Sequence, residues 1–473
     1  MNIRLPYAWA RSQRALIQTG SGAPLLTTSE RTPAWALAEI RRRHGELAHR
    51  QVADVELDTL LAAAYAETDD AAAVVDAAAS EIDLDRLLQD IPEVEDLLES
   101  HDDAPVIRMI NALFTQAVRD GASDIHLEAF ETHSVVRYRV DGTLRDIVNP
   151  RRALHNALVS RIKIMASLDI AEKRLPQDGR IALRVGGRPI DVRVSTLPTG
   201  HGERAVLRLL DKETGFLELT RLGMAPDVLT GLDALIHRPH GIVLVTGPTG
   251  SGKSTTLYAA LGRLDAGTTN ILTVEDPIEY DLPGIGQTQV NPRIDLDFAT
   301  ALRAILRQDP DIIMIGEIRD LETAQIAVQA SLTGHLVLAT LHTNDAVSAI
   351  ARLTDMGVEP FLLASTLQGI LAQRLIRKLC QGCKLVQQDG SATLNPDGCP
   401  ACHHTGYRGR TGVHELFVID DEARSLIHNA ANEQALRDAA RRKGMRSLRE
   451  DGRRWITQGV STEEELARVT RDA

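Results

Sequence analysis

Residues 247–254 read GPTGSGKS, a stretch whose composition suits it to hold a chain of phosphates. It fits the pattern G-x-x-x-x-G-K-[ST], follows the apolar run GIVLVT and precedes the helix-favouring STTLYAALGRL. Glycines let backbone N–H groups turn inward around phosphates, and a helix N-terminus adds partial positive charge. In such loops the lysine reaches the β- and γ-phosphates and the hydroxyl binds Mg²⁺. The predicted nucleotide-binding residues are Gly247, Pro248, Thr249, Gly250, Ser251, Gly252, Lys253, Ser254 and Thr255.

Polar residues close the apolar runs that follow this loop. Glu275 and Asp276 end NILTVED, and Glu317 ends DIIMIGE. His342 ends HLVLATLH. Runs that are apolar throughout are typical of parallel strands buried on both faces, and ligands bind at the carboxyl ends of such strands. We therefore expect these side chains to converge on the phosphates, with His342 contacting the γ-phosphate. Glu317 and Glu275 are both candidates for the base that activates water, and the sequence does not choose between them.

All four cysteines of the chain lie in one short segment, as two C-x-x-C pairs separated by fifteen residues. This spacing is typical of a closed tetrahedral Cys₄ zinc site, in which the metal is structural because no coordination position stays open. The predicted zinc ligands are Cys380, Cys383, Cys399 and Cys402. The alternatives are His403 or His404 as a substitute ligand, a disulfide pair and a redox-active C-x-x-C.

Composition and charge exclude several classes of protein. The chain has 473 residues, of which 43% are hydrophobic and 25% charged, as in soluble globular proteins of roughly three or four domains. Residues 51–103 hold 17 acidic residues and one arginine, and we interpret their acidic part as a linker. Nucleic-acid binding is disfavoured because the remainder carries no basic stripe. No apolar run approaches the roughly 20 residues of a membrane span, so we expect a cytosolic protein.

Changes of pattern divide the chain into six predicted segments. Alternating strands with turns at Asp141-Gly142 and Gly186-Gly187 precede the apolar runs of the nucleotide site. The expected fold class is therefore a multidomain α/β protein with a P-loop core. The segments are 1–80 (a small helical domain), 81–103 (the acidic linker), 104–216 (an α+β domain), 217–378 (the nucleotide-binding core), 379–421 (the cysteine subdomain) and 422–473 (C-terminal helices).

Three longer stretches resemble the secretion ATPase superfamily, and within it most closely the type II secretion ATPases. They are TVEDPIEYDLPGIGQTQVNP, LRAILRQDPDIIMIGEIRDLETAQIAVQASLTGHLVLATLHTNDA and LAQRLIRKLC. In the terms of that family, residues 247–255 are the Walker A motif and residues 273–279 the aspartate box. Residues 312–320 are the Walker B motif and residues 334–342 the histidine box. The resemblance covers roughly residues 104–473.

The resemblance implies a fold and a function that composition does not supply. It implies a RecA-like core joined flexibly to a PAS-like domain, in a ring-shaped homo-hexamer that hydrolyses MgATP to drive pseudopilus assembly and protein export. An arginine on a strand is usually a surface charge, and the sequence alone would leave Arg193 and Arg208 there. The resemblance implies instead that they approach the phosphates when the two domains close. Arg303, Arg307 and Arg319 match further arginines of the family. The cysteine segment corresponds to the family's zinc-binding subdomain.

Partners and location also follow from the resemblance. The N-terminal RLPYAWARSQRALI is similar to the family's opening segment. In that family the N-terminal domain docks on the cytoplasmic domain of the inner-membrane secretion protein L, so the resemblance implies the same partner here. The family further implies contact with the inner-membrane platform protein F. The expected location is the cytoplasm, at the periphery of the bacterial inner membrane, reached through these partners.

Three other functions are compatible with parts of the sequence. A type IV pilus extension ATPase shares the four motifs and is the nearest alternative, although VEDPIEYDLPGIGQ and QASLTGHLV resemble the secretion branch more closely. A zinc-ribbon nucleic-acid motor is disfavoured because aromatic residues make up only 3% of the chain. A scaffold that binds ATP without hydrolysis is disfavoured because the lysine, serine and carboxylates of the site are all present.

Overall fold

The computed structural model consists of two compact units, Met1–Asp211 and Lys212–Ala473. The described residues are 5, 10, 13–18, 24–45, 47–54, 56, 57, 60, 105–185, 188–211, 218–387 and 391–470. The predicted acidic linker at 81–103 and the predicted turn at 186–187 lie outside these residues. Half of the opening segment of the predicted docking domain lies outside them as well.

The N-terminal part contains strands in addition to the helix that the sequence predicts. Strand β1 pairs antiparallel with β2, and β2 pairs parallel with β3. Leu16 and Leu26 on the first two strands share a small core with Ile40 of the helix. Each strand is only four residues long, so the sequence shows no run of alternating residues that would predict it. The elements are β1 (Ala15–Gln18), β2 (Leu25–Thr28), α1 (Ala34–His44) and β3 (Ala48–Gln51).

Residues 105–211 form the α+β fold that the strand and turn pattern predicts. The elements are α2 (Pro105–Arg119), β4 (Ala122–Ala129), β5 (Ser134–Val140), β6 (Thr143–Val148), α3 (Arg152–Met165), β7 (Gln177–Val185), β8 (Arg188–Thr199) and β9 (Gly202–Asp211). The six strands form an antiparallel sheet in the order β6-β5-β4-β9-β8-β7. Asp141 and Gly142, with φ angles of +49° and +82°, make the predicted turn between β5 and β6.

The second unit is built on a seven-stranded sheet, ordered β12-β11-β13-β14-β10-β15-β18. Its neighbouring strands are parallel except for the antiparallel pair β15 and β18, and every residue of β10 and β14 is buried, as the apolar runs predict. The strands of this unit are β10 (Gly241–Thr246), β11 (Ile271–Glu275), β12 (Gly286–Gln289), β13 (Ile312–Ile315), β14 (Leu336–Leu341), β15 (Leu367–Leu379), β16 (Leu385–Val386), β17 (Ala392–Thr393) and β18 (Tyr407–Val418).

Helices cover both faces of this sheet. Val243 and Val245 of β10 pack into one layer with helices α4 and α5, whereas Ile242 and Leu244 pack into the layer on the other face. The helices are α4 (Pro226–Ile236), α5 (Lys253–Leu261), α6 (Phe298–Ile305), α7 (Leu321–Leu332), α8 (Ser348–Asp355), α9 (Pro360–Thr366), α10 (Asp421–His428), α11 (Glu433–Arg442), α12 (Leu448–Thr457) and α13 (Glu463–Val469). In the described parts of the chain, no helix has both the length and the apolar character of a membrane span.

Candidate functional site

The glycine-rich loop between β10 and α5 has a backbone that only glycine adopts readily. Gly247, Gly250 and Gly252 have φ angles of +147°, +78° and +88°. A Cβ atom on Gly247 would lie 2.4 Å from the backbone oxygen of Gln373, so a larger residue does not fit. The loop ends at the N-terminus of α5, and Lys253 is the first residue of that helix. The first N–H groups of a helix have no intrahelical acceptor, so this end of α5 is suited to bind phosphate oxygens.

The side chain of Lys253 lies against this loop. Its Nζ donates to the backbone oxygens of Gly247 at 2.9 Å and Pro248 at 3.2 Å, and the residue is 8% exposed. Burial lowers the pKa of Lys253 to about 8, and the nearby charge of Glu317 only partly offsets this effect. The ammonium group is therefore poorly compensated, and the negative charge of a phosphate would stabilise it.

Glu317 and His342 lie side by side, just past the ends of β13 and β14. His342 Nε2 is 3.0 Å from Glu317 Oε1, and His342 Nδ1 is 3.5 Å from Lys253 Nζ. Burial and the charge of Lys253 lower the pKa of His342, so the ring is neutral at pH 7. A carboxylate only accepts and an ammonium only donates, so the ring donates through Nε2 and accepts at Nδ1. Of the side chains that the sequence predicts to converge, Glu317 and His342 lie together beside Lys253.

Arg319 extends this group of charges. Its Nε donates to Glu317 Oε2 at 2.8 Å, and its Nη1 donates to Asp276 Oδ2 at 3.3 Å. Its guanidinium carbon also lies 5.8 Å from the centre of the Phe298 ring. Arg319 therefore joins the carboxylates that follow two neighbouring strands, β11 and β13, and holds Glu317 from the side opposite His342.

Glu275 occupies a different environment, although it also ends a strand of the sheet. It is 4% exposed and accepts hydrogen bonds from Thr273 Oγ1 at 2.6 Å and Gln287 Nε2 at 3.0 Å. Its second oxygen accepts a hydrogen bond from the hydroxyl of Tyr258. Three protein donors therefore satisfy this carboxylate inside the core, whereas the side chain of Glu317 is 22% exposed.

Two residues that sequence reasoning did not single out support the site. Tyr258 lies on α5, five residues after Lys253, and donates a hydrogen bond to the Glu275 carboxylate. Thr343 follows His342 directly, and its N–H donates to Thr246 Oγ1 at 3.0 Å, which ties the histidine loop to the strand before the glycine loop. The sequence does contain a signal for Thr343. Threonines lie at or just after the ends of two buried apolar runs, Thr246 for β10 and Thr343 for β14, and parallel strands place their carboxyl ends at the same edge of a sheet.

The antiparallel sheet of the first unit carries a row of arginines. Arg193 on β8 lies directly opposite Arg208 on β9, and Arg180 on β7 lies opposite Arg193. Asp124 on β4 faces both Arg208 and Arg139, and it accepts a hydrogen bond from Arg208 Nε at 3.0 Å. Residues directly opposite one another point to the same face of a sheet. These arginines therefore share one face of the sheet with two aspartates, Asp124, which pairs with Arg208 and Arg139, and Asp191, which pairs with Arg180.

Two other predicted arginines lie near the end of α6. Arg303 is on the helix and forms an ion pair with Glu322, whereas Arg307 lies two residues past the helix end at Ile305. Arg307 Nη1 donates to the backbone oxygen of Arg303 at 2.7 Å. The spacing predicts one shared helical face for both residues, but the helix ends before it reaches Arg307.

The four cysteines form a compact cluster at the end of β15. Their Sγ atoms all lie within 4.8 Å of one another, and three of the Sγ–Sγ distances are 3.7, 3.8 and 3.7 Å. A tetrahedral zinc site with Zn–S bonds of about 2.3 Å requires sulfur atoms about 3.8 Å apart, so the cluster fits the metal. A disulfide requires two sulfur atoms about 2.05 Å apart, and all four cysteines are free thiols. The residues are Cys380, Cys383, Cys399 and Cys402.

Backbone hydrogen bonds favour the thiolate form of Cys402, whereas burial and the neighbouring thiols raise the pKa of Cys383. Burial opposes ionisation of the Cys402 thiol, but hydrogen bonds from the N–H groups of Cys399 and Gly406 outweigh it and lower its pKa to about 6. His404 Nδ1 lies 3.0 Å from the backbone oxygen of Asp397, and neither this residue nor His403 belongs to the described metal-binding group. The cysteines are therefore sufficient as a ligand set.

The parallel sheet, the glycine loop and the carboxylates at the strand ends define a RecA-like P-loop ATPase. The model of the family "Type II/IV secretion system protein" matches residues 99–468, and a second model, for a domain of "GSPII protein E", matches residues 4–65. The first match covers well over half of the 473 residues. The chain therefore belongs to the type II/IV secretion system protein family, on its type II secretion ATPase branch.

Individual relatives agree with this assignment. "Type II secretion system protein HxcR" of Pseudomonas aeruginosa is 72% identical over 469 residues, which cover 99% of both chains. "Type II secretion system ATPase E" of Vibrio cholerae is 57% identical over 412 residues, covering 84% of this chain and 82% of that one. Among solved structures, the pilus retraction motor PilT with bound ADP is 29% identical, with a TM-score of 0.53 and coverage of 77% of this chain and 97% of that chain.

Proposed function

We propose that this chain is the ATPase of a type II secretion system and that it hydrolyses MgATP to drive pseudopilus assembly and protein export. The observation that carries the proposal is the meeting of Lys253, His342 and Glu317 beside the glycine loop. It is supported by similarity to type II secretion proteins over nearly the full length of the chain. No observation favours the type IV pilus alternative over this function.

Binding of the triphosphate is assigned to the loop and to the first turn of α5. The loop N–H groups would surround the β-phosphate, and Lys253 would exchange its two carbonyl acceptors for charged phosphate oxygens. Ser254 is exposed at the start of the helix, where its hydroxyl suits a Mg²⁺ ligand. When bound, Mg²⁺ neutralises charge between the β- and γ-phosphates.

Glu317 is assigned as the general base for the attacking water. It is linked to Lys253 through His342, and part of its surface is open to solvent. The carboxylate of Glu275, by contrast, is buried and already accepts three hydrogen bonds. We assign Glu275 a supporting role and His342 a role as donor to the γ-phosphate, reoriented from the Glu317 carboxylate when phosphate is present.

The arginine row of the first unit suits the role that the family assigns to it. Arg193 and Arg208 are proposed to reach the γ-phosphate when the two units close around the nucleotide, since they share one face of the sheet. Positive charge at this position would stabilise the transition state in phosphoryl transfer. Arg303, Arg307 and Arg319 are proposed as further arginines of a composite site in a homo-hexameric ring.

The four-cysteine cluster is proposed to hold one structural Zn²⁺. The segment between β15 and β18 is too small to bury a core of its own, and the described part of its apolar cluster comprises Leu379, Ala392 and Tyr407 with Leu394 against them. A metal bound by four thiolates supplies folding free energy that such a core does not. This role does not involve the metal in hydrolysis.

The partners are proposed from the family and from the N-terminal match. Residues 4–65 match a domain of GSPII protein E, and we propose that this part of the chain docks on the cytoplasmic domain of inner-membrane protein L. The platform protein F is proposed as the second contact. The chain would then act in the cytoplasm at the periphery of the inner membrane, without inserting into it.

Two measurements test this function together. Purified full-length chain is expected to hydrolyse MgATP, Lys253→Ala to abolish hydrolysis, and the surface variant Lys443→Ala to retain it. In a bacterium that lacks its own type II secretion ATPase, the wild-type gene is expected to restore protein export. Restoration of pili in a strain without its pilus extension ATPase, with no restoration of export, would favour the alternative function instead.

A further inference from the structure

A glutamine on β15, outside the glycine loop, forms a hydrogen bond to the backbone of that loop. Gln373 lies on β15, is 3% exposed and donates through Nε2 to the backbone oxygen of Ser251 at 2.7 Å. Its Oε1 accepts from Thr256 Oγ1 at 2.6 Å. One buried amide therefore bonds the middle of the loop and the first turn of α5, the two parts that contact phosphate in a P-loop.

The chemistry of the partners determines the orientation of this amide. A backbone carbonyl only accepts hydrogen bonds, so the group next to Ser251 O is the NH₂ of Gln373. The hydroxyl of Thr256 then donates to Oε1, and each partner is 3% exposed or less. Buried amides left without partners cost free energy, so this pairing favours the observed loop conformation over others.

The bond to Ser251 has a consequence on the opposite side of the loop. The carbonyl of Ser251 and the N–H of Gly252 belong to one planar trans peptide unit and point in opposite directions. Because Gln373 holds the carbonyl toward β15, the Gly252 N–H is directed away from β15. In a P-loop, backbone N–H groups that point into the concave side of the loop bind the phosphates, and we infer that the Gly252 N–H is one of them.

Two glycines of the loop lie close to Gln373, Gly252 against its side chain and Gly247 against its backbone. A Cβ atom on Gly252 would lie 2.8 Å from Gln373 Nε2, and one on Gly247 would lie 2.4 Å from Gln373 O. Both glycines have positive φ angles. The loop therefore packs on Gln373 without room for a side chain between them, so its position depends on this residue.

We propose that Gln373 is a positioning residue of the phosphate site, which aims the Gly252 N–H and fixes the loop against the start of α5. It does not touch the phosphates itself. The proposal rests on the proposed function, because it assigns Gln373 a role in binding the same nucleotide.

The test compares two buried glutamines on one strand. Gln368 also lies on β15 and is 5% exposed. It lies at the opposite end of β15 from the glycine loop, beside the start of β10, and its side chain accepts hydrogen bonds from Arg238 and Arg424. Gln373→Met is expected to weaken MgADP binding by about tenfold, as loss of a buried hydrogen bond allows. Gln368→Met is expected to bind MgADP like the wild type, although both variants lower the thermal midpoint of unfolding.

Steady-state kinetics separate positioning from a general loss of structure. The loop amides contact phosphate before and during the reaction, so Gln373→Met is expected to raise KM while kcat changes little. If Gln373→Met does not fold, Thr256→Val and Thr256→Ser provide the same comparison, since only the second keeps the hydroxyl. Weaker binding is expected for valine, and serine is expected to bind like the wild type.

Lys253→Ala, measured alongside, distinguishes the two possible failures. If Lys253→Ala binds MgADP as the wild type does, the proposed nucleotide site is wrong. If Lys253→Ala fails to bind while Gln373→Met and Gln368→Met bind equally, only the role of Gln373 is overturned. Equal binding by Thr256→Val and Thr256→Ser would overturn it in the same way.

Discussion

His342 lies between Lys253 and Glu317, with its Nε2 3.0 Å from the Glu317 carboxylate and its Nδ1 3.5 Å from the lysine ammonium. A neutral imidazole that donates on one side and accepts on the other links Lys253, which we propose holds phosphate, to Glu317, which we propose activates water. The response of the site to mutation and to pH follows from this arrangement.

Replacement of Glu317 by glutamine removes the proposed proton acceptor and keeps the shape of the side chain. Glu317→Gln is expected to lower kcat by about 10²- to 10⁴-fold, the usual contribution of general base catalysis, with MgADP affinity retained. The matched control is Glu359→Gln, at an exposed carboxylate that precedes α9. Phosphate release assays and calorimetric titration measure the two quantities. A large loss of kcat in Glu275→Gln, with Glu317→Gln close to the wild type, would reverse the assignment.

Nucleotide binding is expected to weaken in alkaline solution. Burial lowers the pKa of Lys253 to about 8, and bound phosphate would raise it, so binding above that pH must take up a proton. Affinity should therefore fall as pH rises above 8, by up to about tenfold per pH unit. His342 does not contribute in this range because its pKa is lowered below its ordinary value.

The proton uptake can be measured by titrating MgADP calorimetrically in buffers of different ionisation enthalpy. Lys253→Arg serves as the control, since a guanidinium keeps its charge across the range. It is expected to bind more weakly at every pH and to show no fall above pH 8. The same fall in Lys253→Arg and wild type would mean that another group titrates.

Tyr258 is expected to stabilise the fold through the buried Glu275. Tyr258→Phe removes the hydroxyl that donates to this carboxylate and should lower the free energy of unfolding of the second unit by about 1–3 kcal/mol. Urea unfolding measures the effect, and a double-mutant cycle with Glu275→Gln isolates the contact. Residues in contact couple by about 0.5 kcal/mol or more, so additive effects would contradict it.

The purified chain is expected to contain one zinc ion, by elemental analysis. Cys383→Ser should lose the metal and render residues 380–406 sensitive to protease, because this segment lacks a core of its own. His404→Asn should retain the zinc, since His404 bonds a backbone oxygen and asparagine tolerates its φ of +60°. Zinc loss in His404→Asn with retention in Cys383→Ser would contradict the Cys₄ ligand set.

Local sequence patterns determined much of the second unit. The apolar runs of β10, β11, β13 and β14 predicted buried parallel strands, and the glycine motif identified the loop after β10. Paired C-x-x-C motifs identified four ligands whose sulfur atoms do cluster. These predictions succeed because burial on both faces, positive φ angles and metal ligation each restrict residue types within a short stretch of chain.

Other features were decided by contacts between distant segments. The sequence places both Glu275 and Glu317 at strand ends, but only the tertiary structure surrounds the first with Tyr258 and Gln287 and leaves the second partly exposed. The four-residue N-terminal strands are likewise too short for a periodic pattern. Gln373 lies 122 residues from Ser251 in sequence and 2.7 Å from it in space. Local sequence restricts which residue types can occupy a position. The contacts that a side chain makes depend on which strands the fold places next to one another.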